Sequence, residues 1–396
     1  MPVATRKLRV GLVGTGFAGR FHMECLRRVY GVEIEVAGVT SLRAESRAKF
    51  GKAHGIPVFE SVDAMLGQID LLDVCSPPCV HEEAILAAAA AGKAVICEKP
   101  LTGYFGLAGD TKLRGNRTSK KIMLQAVMKR LARIEAAVRK HKVFFGYAEN
   151  FVYAPGIQKE REIVEKTGAQ ILRMLGEESH NGSASPVYGI WRYAGGGSLI
   201  GKGCHPLGGI LYLKRCEGLA RNGKPIRPVS VSARTHELTR LPGYRDAKLI
   251  RTDYLDVEDY GFMHVVFDDG TVGDVITSEI VLGGIYDYLE VFANNHRTRC
   301  LLSPAGLMDT YNPRHKQFKD IYTVEKISSK EGWTKTAPDE NFTMGYQAEI
   351  QDFVACAASG RPPQSGLALA LDTTAVIYAA YLSAERQGAA VAVPQI

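Results

Sequence analysis

The sequence predicts an α/β chain of two domains: an N-terminal one on a parallel sheet, then an α+β one with a large, mainly antiparallel sheet open on one face. Three observations predict it. A glycine cluster directly follows an apolar strand-like run near the N-terminus. A βαβ unit spans Asp70 to Leu101, where Leu71 to Val74 and Ala94 to Cys97 flank the Ala-rich helical segment Glu82 to Ala91. Past residue 150, strand-like runs follow one another with few helices between them. A length of 396 residues exceeds the usual size of a single core.

The first run, Leu8 to Val13, leads into Gly14-Thr15-Gly16-Phe17-Ala18-Gly19 and a helical segment to about Val29. This is G-x-G-x-x-G in its required context of strand, tight turn and helix start. Gly14 permits the turn, Gly16 lets backbone approach a pyrophosphate, and Gly19 allows close helix–strand packing. The helix N-terminus adds free N–H groups. The pattern predicts a Rossmann dinucleotide-binding domain, with Thr15, Phe17 and Ala18 as further cofactor contacts. The second strand ends Val39-Thr40-Ser41-Leu42-Arg43, without the carboxylate that grips a ribose 2′-hydroxyl. Hydroxyls plus Arg43 suit the 2′-phosphate of NADP, whereas Thr40 or Ser41 alone suits NAD, so the cofactor is NAD or NADP.

Ligands of a parallel sheet gather at the carboxyl ends of its strands. Cys75, Ser76, Pro77, Glu98 and Lys99 occupy such ends and are expected to line one crevice, and His81, opening the next helix, falls on its cofactor side. Residues 103–121 are rich in Gly, Lys and Arg and read as an inserted basic loop near the substrate mouth. Helix is expected from about Leu124 to Lys140, and Val143 to Tyr147 closes a first domain of residues 1–149. In the second, residues 150–396, strands are expected over Ala169 to Glu177, Pro228 to Glu237, Gly261 to Phe267, Thr271 to Thr277, Tyr286 to Phe292 and Thr298 to Leu302. Phe267-Asp268-Asp269-Gly270 marks a hairpin.

Taken together, Gly14 to Gly19, Ser76-Pro77-Pro78 with His81, Glu98-Lys99-Pro100, Gly195-Gly196-Gly197 leading to His205, and the ending from Tyr346 to Pro362 resemble the Gfo/Idh/MocA superfamily. The resemblance implies that Lys99 faces both nicotinamide and substrate hydroxyl, stabilising a developing alkoxide. It also implies that His205 handles the hydroxyl proton. The family has an aspartate four residues before that histidine; here the position is Gly201, so His205 is expected to act without a carboxylate partner. The next residue, Lys202, is read as holding an anionic substituent, lowering the His205 pKa, or facing solvent. Tyr153, Glu177, His180, Trp191 and Arg192 are candidate pocket residues, Trp191 for stacking on a sugar and Arg192 for an anion.

The formal charge of +7 is compatible with a phosphate-bearing cofactor. The basic run Lys112, Arg114, Arg117, Lys120 and Lys121 has no interleaved aromatics, which argues against nucleic acid and for a solvated loop. The eight cysteines contain no C-x-x-C pair and read as reduced thiols, and no metal site is expected. No apolar run is seen to approach the roughly 20 residues that cross a bilayer, so neither membrane partner nor leader is expected, and the location expected is the cytoplasm. The resemblance implies an NAD(P)-dependent oxidoreductase acting on a secondary hydroxyl of a sugar or glycoside, as a homodimer or homotetramer. The alternatives are an NAD-dependent glycoside hydrolase that retains its cofactor and cleaves an anionic glycoside, and a non-catalytic cofactor-bound sensor.

Overall fold

The computed structural model describes residues 7–107, 109–110, 112–303 and 307–396. The first sheet is built from β1 (Leu8–Val13), β2 (Ile34–Thr40), β3 (Leu71–Val74), β4 (Ala94–Glu98) and β5 (Phe145–Ala148). Its order is β2-β1-β3-β4-β5, all parallel. Helices α1 (Phe17–Arg27), α2 (Ala44–His54), α3 (Val62–Leu66), α4 (His81–Ala90) and α5 (Lys120–His141) join the strands. Short, nearly continuous apolar runs such as Leu71–Val74 suit strands covered on both faces, and all four of these residues are buried. The chain order reverses between β1 and β3, which opens a crevice beyond their carboxyl ends.

After α6 (Pro155–Thr167), strand β6 (Ile171–Ser179) begins the second sheet. Helices α7 (Trp191–Ala194), α8 (Ser198–Gly201) and α9 (Cys204–Asn222) follow, then β7 (Pro228–His236), β8 (Tyr260–Phe267), β9 (Val272–Ser278), β10 (Tyr286–Ala293) and β11 (Arg297–Ser303). The chain ends through β12 (Asp309–Asn312), β13 (Gly332–Lys335), α10 (Glu340–Thr343), α11 (Tyr346–Ser359), α12 (Leu367–Glu385) and β14 (Val391–Ala392). The order β11-β10-β6-β9-β8-β7-β14 is antiparallel except between β6 and β9. The fold class is the one predicted, and the expected strands of this half lie within two residues of the observed ends. Strands β12 to β14 have two to four residues, too few for an alternating pattern to show. Gly176 on β6 admits α9: a Cβ there would stand 2.7 Å from Pro206 Cβ, so the absent side chain brings the neighbouring His205 against the sheet.

Two features differ from expectation. Helix α12 is long and apolar enough to cross a membrane by length and composition, which the residue pattern had not suggested, yet 78% of its apolar window is buried within the protein. It packs on α5, α9, β5 and β7, while α11 packs on α1, so the C-terminal helices bind to both sheets. The described residues of the segment 103–121 are docked against the second half rather than standing free as a solvated loop. Leu101, Tyr104, Leu113 and Gly115 are buried, Gly115 N donates to Asp256 Oδ2 at 2.7 Å, and α5 starts at Lys120, before the expected Leu124. Lys120 places its ammonium 4.7 Å from the centre of the Trp191 ring, while Lys112, Arg114, Arg117 and Lys121 are exposed as expected of solvated cations.

Gly115 is the close approach that permits this docking, because an added Cβ would overlap the Trp191 indole. Gly115→Ala is expected to lower unfolding stability by about 1–3 kcal/mol through overpacking. Gly67→Ala, where nothing lies within 4 Å and φ is −67°, is expected to be neutral or slightly stabilising. Urea midpoints of the two variants check the contrast.

Candidate active site

The glycine loop after β1 has the shape of a phosphate cradle. Gly14 adopts φ +109°, and a Cβ there would lie 2.5 Å from Cys75 O; one on Gly19 would strike Gly14 O. At Gly16, by contrast, nothing lies within 4 Å of an added Cβ, and no side chain caps α1. Free N–H groups at a helix start beside open space are what a pyrophosphate requires. Ser76 Oγ, buried and without a hydrogen-bond partner among the described residues, is a further donor there. Thr15 Oγ1 donates to Ser41 Oγ at 3.3 Å, and Gly14 N to Thr40 O at 2.9 Å, so the loop is tied to the end of β2. Phe17 and Arg43 are exposed, Ala18 and Pro77 half-buried, and Arg47 reaches Ser41 O at 3.0 Å. Cys75 instead turns its thiol to Asp73 Oδ1 at 3.4 Å, away from the cradle.

Beneath the crevice lies a residue the sequence pattern did not single out. His22 of α1 is fully buried, its Nδ1 2.9 Å from Asp73 Oδ2 and its Nε2 3.1 Å from Glu98 Oε1. Burial works against a charged ring, but Asp73 and Cys75 outweigh it and hold the imidazole well above its usual range. Glu98 thus meets a neighbouring cation, and its Oε2 accepts the Lys99 N–H at 3.0 Å. His81 ties the two strand ends above: Nδ1 faces Pro100 O at 3.0 Å and Nε2 faces Ser76 O at 2.7 Å. Both ring nitrogens being engaged with backbone, His81 positions the crevice walls rather than offering a free ring nitrogen to a ligand.

Lys99 leaves the end of β4 and donates from Nζ to Gly201 O at 3.2 Å, across to the second half of the chain. Burial opposes its charge, but the fields of Cys204, Tyr188, Glu178 and Glu98 hold the ammonium above its ordinary range. His205, expected to lack a carboxylate, has two. Glu149 Oε1 lies 2.6 Å from Nδ1 and Glu178 Oε2 lies 3.6 Å from Nε2. Glu149 comes from the end of β5 and Glu178 from β6, so neither is near His205 in sequence; α8 ends at Gly201, before α9 begins. Burial, with Lys99 and Lys202, drives the His205 ring well below its usual pKa, and burial drives Glu149 well above, which leaves a neutral pair sharing a proton. Burial raises Glu178 to about 7 against the pull of Lys99 and Lys202.

Several expected pocket residues lie elsewhere. Glu177 points to the opposite face of β6 from Glu178, as alternation requires, and accepts from Ser179 Oγ at 2.8 Å. Tyr153 is core: its hydroxyl donates to Asp352 Oδ2 at 2.9 Å and accepts from Ser365 N at 3.0 Å. Trp191 is buried between Gly115, Lys120 and Tyr381, leaving no face for a sugar. Arg192 donates to Asp110 O in the docked segment. His180 is buried near the site, but its Nδ1 accepts from Gly182 N at 3.0 Å; burial and the nearby Lys202 keep it neutral. Lys202 neither faces solvent nor offers itself to an anion: it is 2% exposed and ion-paired with Glu279, which also accepts from Tyr254 Oη at 3.1 Å.

Two buried trios, His22-Asp73-Cys75 and Glu149-Cys204-His205, have ligand atoms close enough to gather a metal ion. In the first the cation's place is taken by the protonated His22. In the second, the ammonium groups of Lys99 and Lys202 already act on His205 and would repel a dication.

Residues 8–126 match the family model described as the oxidoreductase family, NAD-binding Rossmann fold. The inositol 2-dehydrogenase of Cereibacter sphaeroides is 38% identical over 96 residues, which cover 24% of this chain and 28% of that protein. Across the whole fold the chain is similar to GenD2 from gentamicin A biosynthesis, solved with NAD: TM-score 0.78, 22% identity, 98% of this chain and 97% of that one. It is also similar to scyllo-inositol dehydrogenase from Lactobacillus casei, solved with NAD(H) and scyllo-inositol: TM-score 0.72, 17% identity, 98% and 99% covered. The family match lies in residues 8–126, and the two solved structures share the fold of the whole chain. The curated relative is matched over little more than a quarter of its length.

The Lys202–Glu279 pair is deeply buried, and removing one partner strands the other charge. Lys202→Met is expected to cost about 3–5 kcal/mol. Adding Glu279→Gln should recover about 2 kcal/mol or more of that loss, as coupled neighbours do. Chemical denaturation of the two single variants and the double variant measures the coupling; a loss under about 0.5 kcal/mol for Lys202→Met would mean a solvated side chain.

Proposed function

We propose that the chain is an NAD(P)-dependent oxidoreductase that acts on a secondary hydroxyl of a sugar or cyclitol. The observation that carries this is the meeting of Lys99, from the end of β4, with the His205–Glu149 pair beside the open cradle at Gly16. When bound there, the dinucleotide supplies the hydride acceptor for the carbinol carbon. The ammonium of Lys99 is placed to hold the substrate oxygen and to stabilise the negative charge it gains. His205 receives the hydroxyl proton at Nε2, the ring nitrogen not engaged by Glu149, in the tautomer whose Nδ1–H donates to Glu149 Oε1. Because the ring is held below its usual pKa, it is free to accept a proton at neutral pH. A Cβ at Gly201 would touch only Tyr188 at 3.8 Å, so the glycine leaves space where relatives of this type carry a carboxylate.

The end of β2, Thr40-Ser41-Leu42-Arg43, offers hydroxyls and an arginine and no carboxylate before α2 begins, which supports use of NADP as well as NAD. The cations that argued for an anionic glycoside, Lys202 and Arg192, are engaged with Glu279 and Asp110. Redox-neutral glycoside cleavage therefore loses that support, and aglycone release without net change in nicotinamide absorbance would be its signature. The sensor alternative would leave the buried Lys99 without a use.

Lys99→Ala is expected to lower kcat by at least about 10²-fold, the order seen when a donor to a developing oxyanion is lost. NADH and NADPH, titrated by fluorescence, should both still bind that variant; near-wild-type turnover would overturn the role given to Lys99. For pH, kcat/KM of oxidation is expected to rise with an apparent pKa of about 7 as Glu178 loses its proton. His205, held below its ordinary value, adds no limb above about pH 6.5. The limb near 7 should vanish in Glu178→Gln.

A further inference from the structure

Beside His205, two buried carboxyl groups are short of hydrogen-bond partners. Glu178 on β6 and Asp287 on β10 are directly opposed across the antiparallel ladder, so their side chains share the sheet face against which α9 packs. Asp287 is 1% exposed, and neither of its carboxylate oxygens has a hydrogen-bond partner among the described residues. Glu178 Oε2 also lacks one, at 3.6 Å from His205 Nε2. Every nearby cation is committed. Lys202 is paired with Glu279, Lys326 lies 3.7 Å from Glu325 and donates to Gly182 O, and Lys99 donates to Gly201 O, so Lys99 and Lys202 act on the two carboxylates only through their fields. Buried carboxyl groups without donors are costly unless something supplies charge and hydrogen bonds.

We propose that Glu178 and Asp287 form a subsite for a positively charged amino group, so that the substrate is an amino sugar or aminocyclitol. The inference rests on the oxidoreductase reading of the same crevice. An ammonium brings one positive charge and three donors, enough for both carboxylates, whereas a hydroxyl brings a single donor and no charge. A divalent cation is less suited, because neither Glu178 nor Asp287 belongs to any three-ligand cluster among the described residues. The charge is the opposite of that expected from the basic residues of the sequence. Asp287 is the specificity residue: its neighbour Tyr286 is exposed while Asp287 points inward, on the face it shares with Glu178.

The test uses the full chain with matched pairs that differ by one hydroxyl or amine: D-glucose against D-glucosamine and 3-amino-3-deoxy-D-glucose, and scyllo-inositol against scyllo-inosamine. Dissociation constants are taken by calorimetry with NADH or NADPH bound, and kcat/KM from absorbance with NAD or NADP. At about pH 7.5 at least one amine is expected to bind roughly 10- to 100-fold tighter than its hydroxyl partner, the range for a charge-assisted hydrogen bond. In Asp287→Asn that ratio should fall below about 3-fold, with partial retention in Asp287→Glu; Glu178→Gln gives the same readout should the Asp287 variants fold poorly. Equal or weaker binding of every amine, or an unchanged ratio in both the Asp287→Asn and Glu178→Gln variants, overturns the subsite. Oxidation of hydroxyl-only members without amine preference overturns the subsite and leaves the oxidoreductase reading. Tight, Asp287-dependent binding of an amine that never reduces cofactor does the reverse.

Discussion

A protonated imidazole sealed between two carboxylates holds the crevice floor together. His22 joins α1, whose start forms the phosphate cradle, to Asp73 on β3 and Glu98 at the end of β4. Removing water from such a group is expensive, and Asp73, with Cys75, outweighs that cost. The consequence is geometric. Glu98 uses one oxygen on His22 and the other on the Lys99 N–H, so the backbone that aims Lys99 is fixed from below. His81 fixes it from the side through Pro100 O. A flexible lysine side chain can then span from one sheet to the other and meet Gly201 O.

The second half answers that fixed ammonium with residues drawn from separate elements. Gly176 and Pro206 bring α9 against β6, which sets His205 beside Glu178. Glu149 reaches the same ring from the end of β5. Each acid is buried, so each gains its function from its neighbours: Glu149 shares a proton with His205, and Glu279 is neutralised by Lys202. Glu178 and Asp287 are what remains once these pairs are closed. Buried, opposed on adjacent strands and short of hydrogen-bond partners, they are the least self-sufficient part of the site, which is why they point to a cationic ligand.

Much of this was legible in local pattern, because local pattern carries the forces involved. Gly14, Gly16 and Gly19 announce a turn and a bare helix start by chain geometry alone, and the apolar runs of β1, β3 and β4 can only be buried strands. Tyr153, Trp191 and Arg192 looked equally suited to a ligand, yet their partners are Asp352, Gly115 and the Asp110 carbonyl, all supplied by distant segments. Glu177 shows a finer limit: one step of register along β6 decides which carboxylate faces His205.

By itself the sequence determined the strands and helices that frame the cradle, the main strands of the second sheet, and the placement of Lys99 and His205 at element ends, since each follows from backbone preference and apolar spacing within a few residues. Tertiary structure alone decided which charges meet. It paired Lys202 with Glu279, gave His205 the carboxylates of Glu149 and Glu178, and left Asp287 without a partner among the described residues. Coulombic energies depend on distance and burial, and for residues tens of positions apart in the chain both quantities exist only once the sheets have packed.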